Sequence, residues 1–446
     1  MNWSVGTHRI LGTMPTDELE IEELKERHPA EIAEELEDLP DEEILQVLQQ
    51  LPRELASDVL ERLRPRLSAR LVSHLDRGEA SDLLEEMEPD DAVDVIERLP
   101  KREQEELLGG MRAEEAAVLE ELRTYPPDTA GGIMSPEVVA LSQEMTVEGA
   151  TAELRRVAEE VETIYYAYVV DGERHLLGVL SMRDLALSPP WRRLEEIMIT
   201  EVLKVEVTVD KEEVARLFDR YNYLALPVVG PDDKLLGIVT VDDVIDVMRQ
   251  EATEDMHRLV GVAREERVFS PIRSSVKRRL PWLYINLATA LLAAGVVAIF
   301  EGTIAKMAAL AIFMPIIAGQ GGNAGVQTVT VIVRGIALGE IAPGEGWRAL
   351  AKELALGLLN GLAIGLPVAL IALLWRGDPW LGLVVGLAMF LNMIVAGIFG
   401  AAIPLGLRLV GLDPALSASI FLTTATDVFG FFFLLGLATL ILIRLH

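Results

Sequence analysis

Cysteine is absent from the 446 residues, and basic residues are few beside acidic ones. Without cysteine the chain cannot form disulfides, thiolate zinc sites or a cysteine nucleophile. The 70 Asp and Glu outweigh the 40 Lys and Arg and leave a net charge of -30. Nucleic-acid phosphates require a basic surface, so this balance argues against a nucleic-acid partner. The Gly-x-x-x-x-Gly-Lys-[Ser/Thr] phosphate loop is also missing, which disfavours transport driven directly by ATP.

The acidic charge is concentrated in the first part of the chain. Residues 1–270 contain 63 acidic and 29 basic residues, whereas residues 271–446 contain 7 and 11. The second part also contains five apolar stretches close to the ~20 residues that a helix needs to cross about 30 Å of hydrocarbon. We therefore predict five membrane spans, at about Trp282–Phe300, Met307–Leu338, Leu354–Trp375, Trp380–Leu405 and Pro414–Ile443.

Basic residues beside these spans predict the orientation, because short loops rich in Lys and Arg stay in the cytoplasm. Residues 1–16 lack the basic start and the apolar run of a cleavable signal. We expect a multi-pass protein of the cell (inner) membrane, surrounded by lipid, with its amino-terminal region in the cytoplasm. Eight basic residues fall on the side of the acidic region and three on the other, namely Arg273, Lys277, Arg278, Arg279, Arg334, Arg348, Lys352 and Arg408 against Lys306, Arg376 and Arg444.

The acidic region begins with a repeat of 24 residues. Leucines alternate with acids at helical spacing. We predict an all-α amino-terminal domain over residues 17–130, a superhelix of short helices that stack their apolar stripes and carry the acids outside. The repeated segments are Ile32-Ala-Glu-Glu-Leu36, Ala56-Ser-Asp-Val-Leu60, Ala80-Ser-Asp-Leu-Leu84 and Gln104-Glu-Glu-Leu-Leu108.

A second repeat, of 59 residues, occupies residues 131–248. Tyr168-Val-Val170 with Gly178-Val-Leu-Ser-Met-Arg-Asp184 matches Pro227-Val-Val229 with Gly237-Ile-Val-Thr-Val-Asp-Asp243. Each copy predicts a helix, a strand, a turn, a second strand and a helix. These copies resemble a tandem pair of CBS domains, an α/β module. A long linker (plug) helix over residues 249–270 and the membrane domain over residues 271–446 complete the predicted architecture.

The CBS resemblance implies an adenine nucleotide, such as ATP, in the cleft between the copies. Tyr166 and Tyr223 are the candidates to stack on the base, and Asp184 the candidate to meet ribose hydroxyls. A purely structural interpretation stays open, in which the tyrosines belong to the core or an interface and Asp184 caps a helix.

Asp427 is the lone acid in the middle of a predicted span. A charge at the bilayer centre costs about 2.5–3.5 kcal/mol on insertion scales unless it meets water or a partner. The second span contains Pro315 and a glycine-rich run that either frees backbone carbonyls or allows close helix packing. Asn323 and Gln327 lie one helical turn apart on it. With the threonines before Asp427, these groups offer the oxygen ligands that a hard cation prefers.

The order of these parts closely resembles the MgtE family of magnesium channels over essentially the whole chain. Gly-Gly-Asn-x-Gly-x-Gln in the second span and Thr-Asp-Val-x-Gly in the fifth carry the resemblance within the membrane domain. It implies a homodimer that conducts Mg²⁺ down its electrochemical gradient and is closed by cytoplasmic Mg²⁺. The pore ligands that it suggests are Asp427, Asn323, Gly322 and Thr424.

The family resemblance also suggests regulatory Mg²⁺ ligands, although a solvated surface charge is the alternative for each acid taken singly. Crowded carboxylates repel one another, so Mg²⁺ between them would draw the cytoplasmic domains together. Asn222 stands where the family often has an acid, which leaves the number of regulatory ions open. The candidates are Asp58, Asp90, Asp94, Glu212, Asp243, Asp246, Glu254, Asp255 and Asp413.

Three other functions are alternatives to a Mg²⁺ channel. A broader divalent-cation channel for Co²⁺, Mn²⁺ or Ca²⁺ stays open, although no histidine lies in a span to favour softer metals. A CBS-regulated anion channel requires the opposite charge at Asp427. A membrane enzyme requires a nucleophile with its base or a metal triad in the spans, and the sequence contains neither.

Overall fold

A computed structural model describes residues 18–445 except 38, 158–163, 264, 265, 267, 269, 343 and 417, and describes side chains from residue 21 to residue 441. Residues 1–17, which include the expected start of the first domain, lie outside the described residues. The chain divides into two units, Met1–Met248 and Arg249–His446.

Short helices with apolar inner faces form the first part of the first unit. Two serines at equivalent positions of the 24-residue repeat connect successive repeats, because Ser57 Oγ donates to Leu83 O and Ser81 Oγ donates to Leu107 O, each at 3.0 Å. The predicted superhelix is confirmed. Its described helices are α1 Glu18–Lys25, α2 Pro29–Leu36, α3 Asp41–Leu48, α4 Arg53–Arg62, α5 Pro65–His74, α6 Arg77–Glu86, α7 Pro89–Ile96, α8 Lys101–Leu108 and α9 Ala113–Leu122.

The acids of this superhelix do more than cover its outside, contrary to the expectation from sequence. Glu37, Glu61 and Glu85 recur at the same 24-residue period, and each accepts a hydrogen bond from the backbone N–H that opens a helix about 27 residues later. The first N–H groups of a helix have no partner within it, so these carboxylates stabilise the next repeat.

Each CBS copy contains a three-stranded sheet, with one more strand than the sequence predicted. Its first strand runs parallel to the second, and the second pairs antiparallel with the third. The extra strands have only three and two residues, too few for an alternating pattern. The first copy contains β1 Ala140–Ser142, α10 Val147–Val157, β2 Tyr166–Val170, β3 Leu176–Ser181 and α11 Met182–Leu187; the second contains β4 Val205–Glu206, α12 Lys211–Tyr221, β5 Ala225–Val229, β6 Leu235–Thr240 and α13 Val241–Leu259.

The connector between the superhelix and the CBS copies is packed. Ala130 N and Gly131 N donate to Val209 O and Val207 O at 2.7 and 2.9 Å. A Cβ on Gly132 would lie 2.3 Å from Pro126 O, so only glycine fits there. The superhelix and the second CBS copy therefore share one hydrophobic core, which includes Leu122 and Val228.

The linker helix α13 begins within the second CBS copy and ends at Leu259, ahead of Gly261 in a left-handed conformation with φ of 72°. Among the described residues, four of the later helices have the length and hydropathy of membrane spans, namely α14, α17, α18 and α19. The predicted second span is the 28-residue α16, whose glycines and amides make it less apolar. The helices are α14 Ile272–Ile299, α15 Glu301–Lys306, α16 Leu310–Ala337, α17 Gly346–Arg376, α18 Pro379–Leu409 and α19 Ala418–Leu445.

Candidate ion path and regulatory carboxylates

The glycine-rich run of α16 remains helical and packs against α19. A Cβ on Gly325 would lie 2.6 Å from Leu422 Cδ1, and one on Gly322 would lie 3.8 Å from Thr423 Cγ2. The helix continues from Leu310 to Ala337 through Pro315. Of the two interpretations of these glycines, close helix packing is therefore the one that the backbone follows, and the expectation of an opened backbone at Gly322 is not met.

Asp427 lies on α19, on the stretch that faces this part of α16, and its side chain is partly exposed. Among the described residues no hydrogen bond or ion pair engages its carboxylate. Thr424 Oγ1 donates to Ile420 O at 2.7 Å, so its oxygen retains acceptor capacity. Asn323 is exposed one residue from Gly322. One chain thus places the four predicted pore residues on two packed helices. Its described residues do not form a complete coordination sphere for an ion.

Two polar residues of the second unit, Arg249–His446, which is called the membrane unit below, were not predicted from the sequence. Asn392 of α18 is fully buried, and its Nδ2 donates to Ile317 O of α16 at 2.9 Å. The Asn392 Oδ1 atom is buried without a hydrogen-bond partner in the described structure. Glu353 of α17 is also buried, with 4% exposure. The third predicted span began at Leu354 and therefore left this residue out. In the sequence, Asn392 is marked only as a single polar residue within an apolar run.

Asp90 and Asp91, in the first turn of α7, lie close to Asp243 of the second CBS copy. Burial, with the nearby Asp243, Asp91 and Asp94 carboxylates, raises the pKa of Asp90 well above its ordinary value. Burial with Glu61 and Asp243 does the same for the pKa of Asp91. The Asp90 Oδ1 atom is buried without a hydrogen-bond partner among the described atoms. The structure therefore concentrates carboxyl groups where the superhelix meets the CBS pair.

The other predicted ligands of the first unit have separate surroundings. Thr240 Oγ1 donates to Asp243 Oδ2 at 2.5 Å. Glu212 pairs with Arg216 one turn along α12 at 3.3 Å. Burial and the neighbouring Glu54 raise the pKa of Asp58, against the attraction of Arg62 and His28. Asp246 is exposed on α13, and Asp94 pairs with Arg98 at 3.2 Å.

A second charged cluster lies in the other unit, where the end of α13 meets the loop before α19. Arg258 forms ion pairs with both Glu254 and Asp413. Burial, followed by the nearby Asp413 and Glu251 carboxylates, raises the pKa of Asp255 to about 6. Three predicted regulatory acids are thus brought together around one basic residue that sequence reasoning had not singled out.

These carboxylates do not form a complete metal site by themselves. In the described part of the chain no three Asp, Glu, His or Cys side chains lie close enough to hold a metal ion. An ion bound here would therefore retain waters or draw ligands from another chain, which suits Mg²⁺ because it gives up its waters reluctantly.

The predicted nucleotide residues are only partly brought together. Tyr166 lies across the strand ladder from Ser181, whose hydroxyl donates to Asp184 Oδ2 at 2.6 Å. Ser181 and Asp184 form a capping box at the start of α11. Tyr223 stacks on Tyr221 with a ring separation of 5.8 Å. Asp184 accepts from the backbone N–H of Ser181, the N-cap residue of α11, which agrees with a capping role; a ribose contact stays a prediction.

Comparison with known proteins agrees with this division. A family model described as divalent cation transporter matches residues 314–437, the MgtE intracellular N domain matches 27–128, and CBS domains match 130–188 and 194–250. A crystal structure of the soluble part of a magnesium transporter is 35% identical, covers 52% of this chain and 94% of its own, and superposes with a TM-score of 0.50.

Two curated relatives cover most of the chain. The magnesium transporter MgtE of Thermus thermophilus is 41% identical over 329 residues, which are 73% of this chain and 73% of the relative. The MgtE of Bacillus subtilis is 35% identical over 74% of this chain and 73% of the relative. With a superhelix, a CBS pair and apolar helices in this order, the chain belongs to the MgtE family of magnesium transporters.

Proposed function

We propose that this chain forms a homodimeric, Mg²⁺-selective channel in the cell membrane. It carries Mg²⁺ into the cytoplasm down the electrochemical gradient, and cytoplasmic Mg²⁺ closes it. The observation that carries the proposal is Asp427, a partly exposed carboxylate within an apolar helix, for which the described structure offers no basic partner. Such a group requires water or a cation beside it.

The pore chemistry follows from the hydration of Mg²⁺. Because the ion keeps most of its waters, a path selective for it presents oxygens to those waters rather than replacing them. In a dimer, two Asp427 carboxylates would face one axis and attract a divalent cation, and Asn323 and Thr424 would contact its water shell. Gly322 would line the path at that level without setting the helix spacing, because a Cβ there would lie in ordinary contact, 3.8 Å from Thr423 Cγ2.

Closure is proposed to use the two carboxylate clusters. Asp90, Asp91 and Asp243 repel one another while ionised, as do Asp255 and Asp413. Mg²⁺ at either cluster would offset that repulsion and favour the compact arrangement. Asp58, Asp94, Glu212, Asp246 and Glu254 are proposed to add further contacts to bound ions.

A nucleotide site in the CBS pair is a separate proposal. Tyr166 lies beside the Ser181–Asp184 cap, where a ribose and a base would meet a carboxylate and a ring. Binding of ATP there would adjust the response to Mg²⁺ without driving transport. Titration of the full-length protein with ATP tests it, because Tyr166→Ala should weaken binding several-fold.

Uptake of Mg²⁺ by proteoliposomes tests the channel. Asp427→Asn should reduce uptake at least tenfold, because the carboxylate that attracts the ion is lost. Asp378→Asn is the matched control, since Asp378 caps α18 at Trp380 N and asparagine also caps well. Equal uptake by the Asp427→Asn and control proteins would refute the path. Competition by Co²⁺, Mn²⁺ and Ca²⁺ distinguishes a broader divalent channel, and uptake of chloride would indicate an anion channel.

A further inference from the structure

The membrane unit contains a cavity of about 160 Å³ with a mixed polar and apolar lining between α16, α17 and α18. Gln327, Thr328, Glu353 and Asn360 supply its polar side chains, and Lys352 lies at its edge. A water takes up about 30 Å³ in the liquid, so the cavity has room for about five waters. Ala324 also lines it, so the cavity begins one residue from Asn323, a proposed pore ligand.

Glu353 has one fixed partner and one adjustable partner. Thr328 Oγ1 donates to Glu353 Oε2 at 3.0 Å. Lys352 Nζ lies 3.5 Å from Glu353 Oε1, which is close enough for an ion pair but long for a hydrogen bond. Glu353 is 4% exposed, whereas the Lys352 side chain is 66% exposed. The cation that neutralises this buried carboxylate is therefore a flexible ammonium with access to solvent.

An ionised carboxylate buried in an apolar helix is costly unless it is paired, so the Glu353 carboxylate requires a positive partner while it carries its charge. Lys352 can fulfil that role in the absence of an ion. A dissolved cation that entered the cavity could replace it, and the ammonium would then return to water at little cost because it is already mostly solvated.

The remaining lining groups indicate which cation fits. The Gln327 and Asn360 amide oxygens can accept hydrogen bonds from water, and among the described residues no second carboxylate lines the cavity. A metal that sheds its waters requires several direct ligands, which one carboxylate cannot provide. A hydrated divalent cation requires a nearby negative charge and acceptors for its water hydrogens, and this cavity contains both.

We propose that this cavity is a second binding station for hydrated Mg²⁺, at which Lys352 acts as a tethered competitor for the Glu353 carboxylate. This inference rests on the proposed channel function and adds a position to its ion path. Glu353 attracts the ion and Lys352 competes with it, so substitutions of these two adjacent residues should change the affinity for Mg²⁺ in opposite directions. A purely structural pair would instead be weakened by the loss of either member.

The test is Mg²⁺ uptake by proteoliposomes over a range of external Mg²⁺. Glu353→Gln should raise the half-saturating concentration about tenfold or more, and Lys352→Gln should lower it several-fold. Glu353→Asp, which retains the charge, should recover much of the loss. The matched control is Glu345→Gln at the start of the same helix, where Glu345 is exposed and pairs with Arg348 at 2.8 Å, and it should leave the concentration unchanged.

A binding measurement separates this station from flux. Mn²⁺ replaces Mg²⁺ as a paramagnetic probe, and the full-length Glu353→Gln protein should bind one Mn²⁺ fewer per chain than the Glu345→Gln protein. The station would be refuted if Glu353→Gln and Lys352→Gln shifted the half-saturating Mg²⁺ concentration in the same direction. It would also be refuted if Glu353→Gln left Mn²⁺ binding unchanged. Loss of uptake in Asp427→Asn with a normal Glu353→Gln protein would refute the station alone, whereas normal uptake in Asp427→Asn would refute the proposed channel path itself.

Discussion

Arg258, in the last turn of the linker helix, forms an ion pair with Asp413 in the loop before the last helix. The same guanidinium reaches Glu254, so one basic side chain lies between two carboxylates that are proposed as Mg²⁺ ligands. Ser419 Oγ also donates to Leu259 O, which attaches the helix end to the start of α19. The end of α13 is therefore joined directly to the helix that carries Asp427.

Loss of this guanidinium should loosen the helix end when Mg²⁺ is absent. Arg258→Gln leaves Asp255 and Asp413 without their compensating charge, so we expect cleavage near Val262 to become several-fold faster in metal-free protein. Added Mg²⁺ should restore protection. Limited proteolysis of the full-length protein measures both effects, with Arg273→Gln as the control for loss of one positive charge. Equal cleavage of the two variants would contradict a role for Arg258 as the compensating cation.

The stability of the metal-free protein should depend on pH around Asp255. Its pKa is raised to about 6, so the folded state holds a proton that the unfolded chain, with a pKa near 3.8, has already released. The stabilising effect of that proton is fully present below pH 3.8 and is lost progressively as the pH rises from there through about 6. Thermal unfolding without Mg²⁺ should therefore occur at a higher temperature at pH 5.5 than at pH 7.5, and Asp255→Asn should reduce this difference.

Asp90 should destabilise the metal-free protein and stabilise the Mg²⁺-bound form. Its carboxylate is crowded by Asp91, Asp94 and Asp243, so Asp90→Asn should raise the melting temperature without Mg²⁺ by a few degrees, which corresponds to about 1 kcal/mol. The further rise on adding Mg²⁺ should become smaller. Calorimetry of the full-length protein measures both effects, with exposed Glu86→Gln as control. A lower melting temperature in both conditions would show that Asp90 is only structural.

Asn222 should be replaceable by glycine but not by alanine. It ends α12 in a left-handed conformation with φ of 53° and ψ of 44°, which asparagine and glycine tolerate and alanine adopts at a cost of roughly 1 kcal/mol. Thermal unfolding should therefore rank Asn222→Ala below Asn222→Gly. Asn222→Asp introduces a carboxylate at this position and should lower the Mg²⁺ concentration needed for protection from protease. An unchanged concentration would remove this position from Mg²⁺ binding.

The serine contacts between repeats should stabilise the superhelix. Ser81 is buried and donates to Leu107 O, so Ser81→Ala leaves that carbonyl without this donor and should cost about 1–2 kcal/mol. Ser73→Ala is the matched control, because Ser73 is exposed and donates to Arg70 O within its own helix. It should lower the free energy of unfolding by less than about 0.5 kcal/mol. Denaturant unfolding monitored by helical circular dichroism measures both. Equal losses would contradict a special role for the contact between repeats.

Local pattern was sufficient for most of the architecture. The 24-residue repeat predicted the superhelix, the 59-residue repeat predicted the CBS pair, and long apolar runs predicted the helices of the membrane unit, because helix periodicity and apolar length are properties of neighbouring residues. The strands β1 and β4 were missed because they are too short to show a pattern, and they form by pairing with β2 and β5. The capping role of Glu37, Glu61 and Glu85 was also missed, since each acts on a helix in the next repeat.

The sequence by itself determined the order of the domains, the apolar helices and the acids from which regulation is proposed. Charge and hydropathy are properties of each side chain and do not depend on how the chain packs. Only the tertiary structure decided which charges meet. Arg258 and Asp413 are 155 residues apart, Asn392 and Ile317 are 75 apart, and Thr328 and Glu353 are 25 apart. Burial and distance, which set the cost of an ionised carboxylate and its response to a cation, arise only when helices distant along the chain pack together.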